Sequence, residues 1–139
     1  MERIVVGVDG SSAAREALEW AIDEARRRDA VVEVIYAWHE PFVTGYEYLG
    51  EIEPGNFATE AENIVEAALA AVDTTGVTVE RKVMPGRPSQ VLVEEAKGAA
   101  LLVVGSRGRG GFSGLLLGSV SQQASHHAPC PIVIIPAAA

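Results

Sequence analysis

The chain has one cysteine, Cys130, and no apolar run near the length of a membrane span. A single cysteine cannot form an internal disulfide and leaves no set of thiols to hold a metal ion. A spanning helix needs about 20 consecutive apolar residues, and the N-terminal MERIVVGVDG lacks the layout of a signal peptide. We therefore expect a cytoplasmic protein without a membrane segment.

Basic residues are also scarce, because 11 Lys and Arg stand against 19 Asp and Glu, giving a formal net charge of −8. Proteins that bind nucleic acids normally present a basic field to the phosphates. The composition thus predicts no nucleic-acid partner, and it requires any phosphate ligand to be held by a small, local positive site. The 139 residues suit a single domain, 1–139.

Apolar runs alternate with amphipathic helical patterns along the whole chain. Strands are predicted at 3–8, 31–38, 77–84, 101–105 and 131–136, and helices after residue 11, over 61–76, over 86–99 and over 119–128. This alternation predicts an α/β fold with a parallel sheet and helices on both faces. Charges at 80–82 indicate an edge position for the third strand, and prolines 131 and 136 one for the fifth. Residues 39–56 read as a long loop.

Residues 105–119, GSRGRGGFSGLLLGS, follow the most apolar predicted strand. Glycines admit a phosphate close to the backbone, and successive N–H groups form a concave anion site. A helix opening near Ser119 adds its free N–H groups. Asp9 also follows a strand, and ligands bind where strands of a parallel sheet end. The side chains that would serve such a site are Arg107 and Arg109, which supply charge, and Ser119 and Ser121, which supply hydroxyls.

Other glycine-rich motifs do not fit, and a flexible surface loop with solvated arginines is the alternative. No Gly-Lys pair occurs, which excludes a P-loop. The near match GRGGFS at 108–113 ends in Ser and lies far from the first strand, so a dinucleotide fingerprint is weak. No GxSxG is present, which argues against an α/β-hydrolase.

Gly105, Gly108, Gly118 and Ser119 have the spacing G-2x-G-9x-G-[ST], and in this the chain resembles the ATP-binding universal stress proteins. The similarity extends to IVVGVDGSSAAREALEWA near the start and LGSVSQQASHHAPCPIVIIP near the end. The resemblance implies an open, twisted, Rossmann-like sheet with strand order 3-2-1-4-5. It also implies ATP with Mg²⁺ or Mn²⁺, and a homodimer joined through the last strand, Ile132–Ile135.

The resemblance also assigns roles by position. Gly7 and Val8 would line the base pocket, Asp9 would approach the ribose or adenine, and Ala37 would meet adenine through its backbone. The nucleotide, its ribose and its phosphates would be flanked by Val104, Gly105, Arg107, Gly108, Gly118, Ser119 and Val120.

Four functions stay open on the sequence alone. One is a regulatory module whose ATP occupancy is sensed by a protein partner, and another is a slow ATPase, for which no convincing water-positioning base is found. The others are a dimeric scaffold without nucleotide and a binder of AMP or cyclic AMP. We expect binding rather than hydrolysis, and no catalytic residue is assigned. His126 and His127 are adjacent on a helix and diverge by about 100°, so a shared metal ion is not expected.

Overall fold

The computed structural model describes residues 1–38, 54–107 and 119–136. Strands and helices alternate throughout this part of the chain. The strands are β1 (Arg3–Gly7), β2 (Val31–Trp38), β3 (Thr78–Pro85), β4 (Leu101–Gly105) and β5 (Ile132–Ile135), and the helices are α1 (Ser12–Arg28), α2 (Pro54–Ala70), α3 (Pro88–Glu95) and α4 (Ser119–His127).

The five strands form one parallel sheet in the order β3-β2-β1-β4-β5, which confirms the expected fold and strand order. β1 lies at the centre, with Val6 level with Val34 of β2 and with Val103 of β4. Strands buried on both faces read as continuous apolar runs. Accordingly, Ile4 and Val6 pack into the core that includes α1, and Val5 packs into the opposite core with residues of α3 and α4.

Helix α1 forms where the sequence predicts it. Its predicted apolar face is buried, because Ala14, Leu18, Ala21, Ile22 and Ala25 all lie in the core. Ser11 is the N-cap, and its hydroxyl accepts a hydrogen bond from the Ala14 N–H at 3.2 Å. Three arginines fill the last turn, where the carbonyl ends of the helix favour cations.

Several helix boundaries differ from the sequence prediction. α2 ends at Ala70 rather than near Gly76. α2 begins at Pro54, so it includes the last three residues of the predicted loop 39–56. Proline suits the first turn of a helix because the N–H it lacks would have no partner there. α3 ends at Glu95 rather than at a cap on Gly98, and Gly98 adopts a φ of 78° in the turn that follows. Residues 39–53 lie outside the described part of the chain.

A network of charged side chains lies on the α3 face of the sheet. Glu33 of β2 is only 2% exposed. Its carboxylate lies 3.1 Å from Arg3 Nη1 and 3.4 Å from Lys82 Nζ. Lys82 Nζ also lies 3.0 Å from Glu95 Oε2, and this hydrogen bond lowers the pKa of Glu95 and raises the pKa of Lys82. A buried carboxylate is tolerated only when such partners offset its lost hydration.

The two edges of the sheet differ in chemistry, as the sequence predicted. β3 carries charged side chains, and two of them are held by ion pairs, Arg81 with Glu66 and Lys82 with Glu95. β5 consists only of isoleucine and valine, all partly buried. Charges discourage another strand from pairing with an edge. The β5 edge lacks that protection.

We predict that Arg3→Met lowers the free energy of unfolding by about 2 kcal/mol, because it leaves buried Glu33 with one cation instead of two. Urea denaturation measures the change. Arg27→Ala is the matched control, since the Arg27 side chain is 64% exposed and its ion pair with Glu24 contributes about 0–1 kcal/mol. Equal losses in the two variants would contradict a stabilising role for the network.

Candidate functional site

The candidate site lies at the carboxyl edge of the sheet, where β1 and β4 end side by side. The chain leaves β1 towards α1 on one face, whereas β4 is followed in the described chain by α4, which packs on the other face. In doubly wound sheets, a crevice opens between two neighbouring strands whose connections diverge in this way. Asp9 follows β1 and Gly105 ends β4, so both lie at the carboxyl ends of strands, as the sequence predicted.

Asp9 shapes the turn between β1 and α1. Its Oδ1 accepts hydrogen bonds from the Ser11 N–H at 2.9 Å and from the Ser11 hydroxyl at 2.5 Å. Gly10 has a φ of 85°, which favours glycine. Asp9 is therefore an Asx-turn residue that orders the start of α1, and it remains half-buried at the edge of the crevice.

Gly105 is required by packing. A Cβ on this residue would lie 3.0 Å from both the carbonyl carbon and the carbonyl oxygen of Ala13, in the first turn of α1. Those are backbone atoms, which cannot move away without displacing the helix. Gly105 therefore brings the end of β4 against α1, whatever else it contacts.

The next residues tie the loop after β4 to the sheet and to α4. Ser106 is buried, and its N–H donates to the Ile135 carbonyl at 2.8 Å. The Ser121 hydroxyl, predicted to contact phosphate, is 2% exposed and donates to the Ser106 carbonyl at 3.0 Å. This hydrogen bond gives Ser121 a role in the fold, and its contact with phosphate stays a prediction.

Ala37 presents its backbone to the crevice. The Ile35 carbonyl accepts from the Val8 N–H at 2.9 Å, which fixes the direction of the Ile35 backbone groups towards β1. Backbone groups two residues apart on a strand point the same way. The N–H and carbonyl of Ala37 therefore point into the space beyond the last residue of β1, where they can form hydrogen bonds with a ligand.

Other predicted contacts belong to the core through their side chains. Val8 and Val104 are 5% and 3% exposed. A Cβ on Gly7 would come within 2.7 Å of Leu92 Cδ1, so Gly7 admits α3 against β1. Val120 is half-buried against the core of the α3 face. A ligand would meet these residues through their backbone atoms.

The remaining predicted residues divide between the described chain and the rest. Arg107 is exposed two residues beyond β4, and Ser119 is exposed at the first position of α4. Gly108, Arg109 and Gly118 lie outside the described residues.

The basic residues of the described chain that form ion pairs and those that do not lie in different parts of the fold. Seven basic residues pair with carboxylates: Arg3, Arg26, Arg27, Arg28, Arg81, Lys82 and Lys97. Arg15, Arg87 and Arg107 form no ion pair with any described residue. All three are exposed, and each follows the carboxyl end of a strand, in the first turn of α1, directly before α3 and beyond β4. In a chain with 19 acidic residues, the cations without an acidic partner thus gather at the edge of the candidate site.

The sequence reasoning missed Arg15 and Arg87. Both could have been found by the rule that located Asp9, since each lies within a few residues of a predicted strand end. A groove of about 450 Å³ between α1 and α2 includes Arg15 in its lining. Of the predicted site residues that the structure describes, only Val8 lines this groove, so we do not place the ligand there.

Metal and thiol chemistry find little support in the described part of the chain. Within it, no three residues of His, Cys, Asp or Glu cluster closely enough to hold a metal ion. Burial raises the pKa of the Cys130 thiol, which reduces its reactivity. No helix among the described residues has the length and apolar character to cross a membrane.

Comparison with known proteins gives one consistent result. The model of the family described as "Universal stress protein family" matches residues 1–136. A universal stress protein of Mycolicibacterium smegmatis is 37% identical over 139 residues, which cover 95% of this chain and 45% of that protein. The chain thus spans about half the length of the curated relatives it matches. The resemblance stated from the glycine spacing is confirmed at the level of the family.

Solved structures agree on the fold. The protein MJ0577 superposes with a TM-score of 0.84 at 21% identity, covering 99% of this chain and 97% of the other. A universal stress protein in complex with cAMP superposes with a TM-score of 0.62 at 28% identity, covering 96% and 95%.

We predict that Gly105→Ala lowers the free energy of unfolding by about 1–3 kcal/mol, because the new methyl group presses on the Ala13 backbone. Thermal or urea denaturation measures the loss. Adding Ala13→Gly removes only the side-chain contact of 3.1 Å, so it should restore part of the loss at most. Unchanged stability in Gly105→Ala would contradict the packing role.

Proposed function

We propose that this chain, which belongs to the universal stress protein family, binds ATP at the carboxyl edge of its sheet and acts as a nucleotide-responsive module. The observation that carries the proposal is the set of exposed arginines at that edge, without carboxylate partners in the described chain. An anionic ligand would supply the negative charge that pairs with these arginines. The structural relative in complex with cAMP supports an adenine nucleotide as the class of ligand.

The nucleotide lies along the edge from β2 to β4. Its base meets the backbone of Ala37, since purine edges carry donors and acceptors that match an N–H and a carbonyl. Its ribose lies near Asp9, whose carboxylate accepts hydrogen bonds from hydroxyl groups. Its phosphates lie near Arg107 and the first turn of α4, whose N–H groups and Ser119 hydroxyl suit anions.

We favour ATP over AMP and cyclic AMP because the loop of residues 105–119 offers more positive charge than one phosphate requires. The spacing of Gly105, Gly108, Gly118 and Ser119 supports this choice, as does the second arginine, Arg109. Mg²⁺ fits such a site, because it usually keeps several waters and is held by phosphate oxygens with one or two protein ligands. Ser119 is the residue that we expect to help hold it.

Binding, rather than hydrolysis, is the functional event that we propose. Hydrolysis requires a positioned water in line with the leaving phosphate. Asp9 is the carboxylate of the crevice, and it lies at the nucleoside end. We expect ATP occupancy to be sensed by a protein partner in the cytoplasm.

We also propose a homodimer formed by the β5 edges of two chains. β5 is short, apolar and partly exposed. The β3 edge, by contrast, is protected by charge. Pairing of the β5 edges would cover Ile132 and Ile134, whose backbone groups point away from β4, because Val133 and Ile135 face it.

Nucleotide binding is tested by denaturing freshly purified protein, identifying released nucleotide by chromatography, and melting the protein with and without Mg-ATP. A ligand at 100 times its dissociation constant stabilises the folded state by about 2.7 kcal/mol, so we expect the Tm to rise by several degrees.

Asp9→Asn keeps an acceptor for the Ser11 N–H but loses the charge, and it should weaken ATP binding roughly tenfold. Gly118→Ala should abolish tight binding while the protein stays folded.

Glu19→Gln is the matched control for Asp9→Asn, because it removes one exposed carboxylate from α1 away from the crevice. Normal ATP affinity in Asp9→Asn would remove Asp9 from the site. Failure of ATP, ADP, AMP and cyclic AMP to bind or stabilise the wild-type protein would overturn the proposal and favour the nucleotide-free scaffold.

The dimer is tested with Ile134→Pro, which removes one outward N–H from β5 and leaves the bonds to β4 in place. Analytical ultracentrifugation should show a dimer for the wild type and for the control Ile134→Val, and a monomer for the proline variant. A dimer that survives Ile134→Pro would place the interface elsewhere.

A further inference from the structure

Arg87 occupies the turn between β3 and α3. It is the N-cap residue of α3, and its side chain makes no capping hydrogen bond. The preceding Gly86 donates its N–H to the Trp38 carbonyl at 2.7 Å, which holds this turn against the end of β2. Arg87 is therefore fixed beside the last residues of β2 by its backbone, while its side chain is exposed.

The sheet order sets which part of a ligand Arg87 can reach. Neighbouring strands lie about 4.8 Å apart, so β3 and β4 are separated by about 14 Å. Arg87 and Arg107 follow those two strands and so lie far apart along the carboxyl edge of the sheet. A nucleotide with its phosphates beyond β4 and its base at the backbone of Ala37 places that base beside the end of β2, the strand that neighbours β3.

The register strengthens this placement. Ala37, the residue whose backbone faces the crevice, lies level with Met84 of β3, and Arg87 comes three residues later. Arg87 thus follows the strand beside β2, and its exposed side chain starts near the end of that strand, on the side where α3 begins. A guanidinium is planar and stacks on aromatic faces, with attraction when it lies within about 6 Å of the ring centre.

We propose that Arg87 contacts the base of the bound nucleotide, with its guanidinium against one face of the ring, and contributes to base binding independently of the phosphates. This inference rests on the proposed nucleotide site. Arg107 lies at the phosphate end, so the two arginines contact different parts of the nucleotide.

The test compares Arg87→Ala with the wild type in calorimetric titrations of adenosine, AMP and Mg-ATP. A contact with the base is shared by all three ligands, so we expect the Kd to rise by the same factor for each, roughly three- to tenfold. Arg87→Lys keeps the charge but not the planar group, and it should recover only part of the affinity.

Arg27→Ala is the control, because it removes an exposed arginine from the C-terminal end of α1, away from the proposed site, and changes the net charge by the same amount. It should leave all three Kd values unchanged. A thermal melt of Arg87→Ala should match the wild type, since no described side chain depends on Arg87.

Three results would overturn the inference while leaving the nucleotide site intact. Unchanged Kd values in Arg87→Ala would remove the contact. A loss that grows from adenosine to ATP would assign Arg87 to the phosphates, and full recovery in Arg87→Lys would indicate only the general field of its charge. If the wild type binds none of the three ligands, the proposed function itself fails.

Discussion

The common direction of the five strands is the constraint on which the rest of the structure depends. Every strand ends at the same edge, so the turns after β1, β3 and β4 gather there although they are far apart in sequence. The chain proceeds to opposite faces after β1 and β4, which opens a crevice between them. Gly105 then brings the end of β4 against α1, because only a residue without a Cβ lets β4 approach the first turn of that helix so closely.

The charged residues also divide between the body of the fold and the carboxyl edge of the sheet. The ion pairs of buried Glu33 lie within the α3 face, and the three basic residues of the last turn of α1 pair with acidic neighbours. The arginines at the carboxyl edge form no ion pair with a described residue. The basic residues that form ion pairs within the fold are therefore distinct from Arg15, Arg87 and Arg107, which the proposed site uses or adjoins.

The uncharged residues of the site do not separate in this way. Val8 and Val104 are core residues, and Ser121 holds the loop after β4 by its hydrogen bond to Ser106. A ligand in the crevice would thus rest on backbone that the core holds rigid. Such a site is preorganised, which lowers the entropic cost of binding.

The sequence by itself determined the strands, the strand order through the family resemblance, and the positions of Asp9 and Gly105, because apolar periodicity and glycine spacing are local properties of the chain. It did not place the start of α2 at Pro54, because the glycines and prolines of the predicted loop 39–56 indicate a turn rather than a helix. It also did not reveal that Ser121 is buried or that buried Glu33 forms ion pairs with Arg3 and Lys82. Only the tertiary structure decided these, and only it brought the turn that contains Arg87 against the end of β2, because contacts between distant residues arise from strand order and helix packing rather than from local sequence.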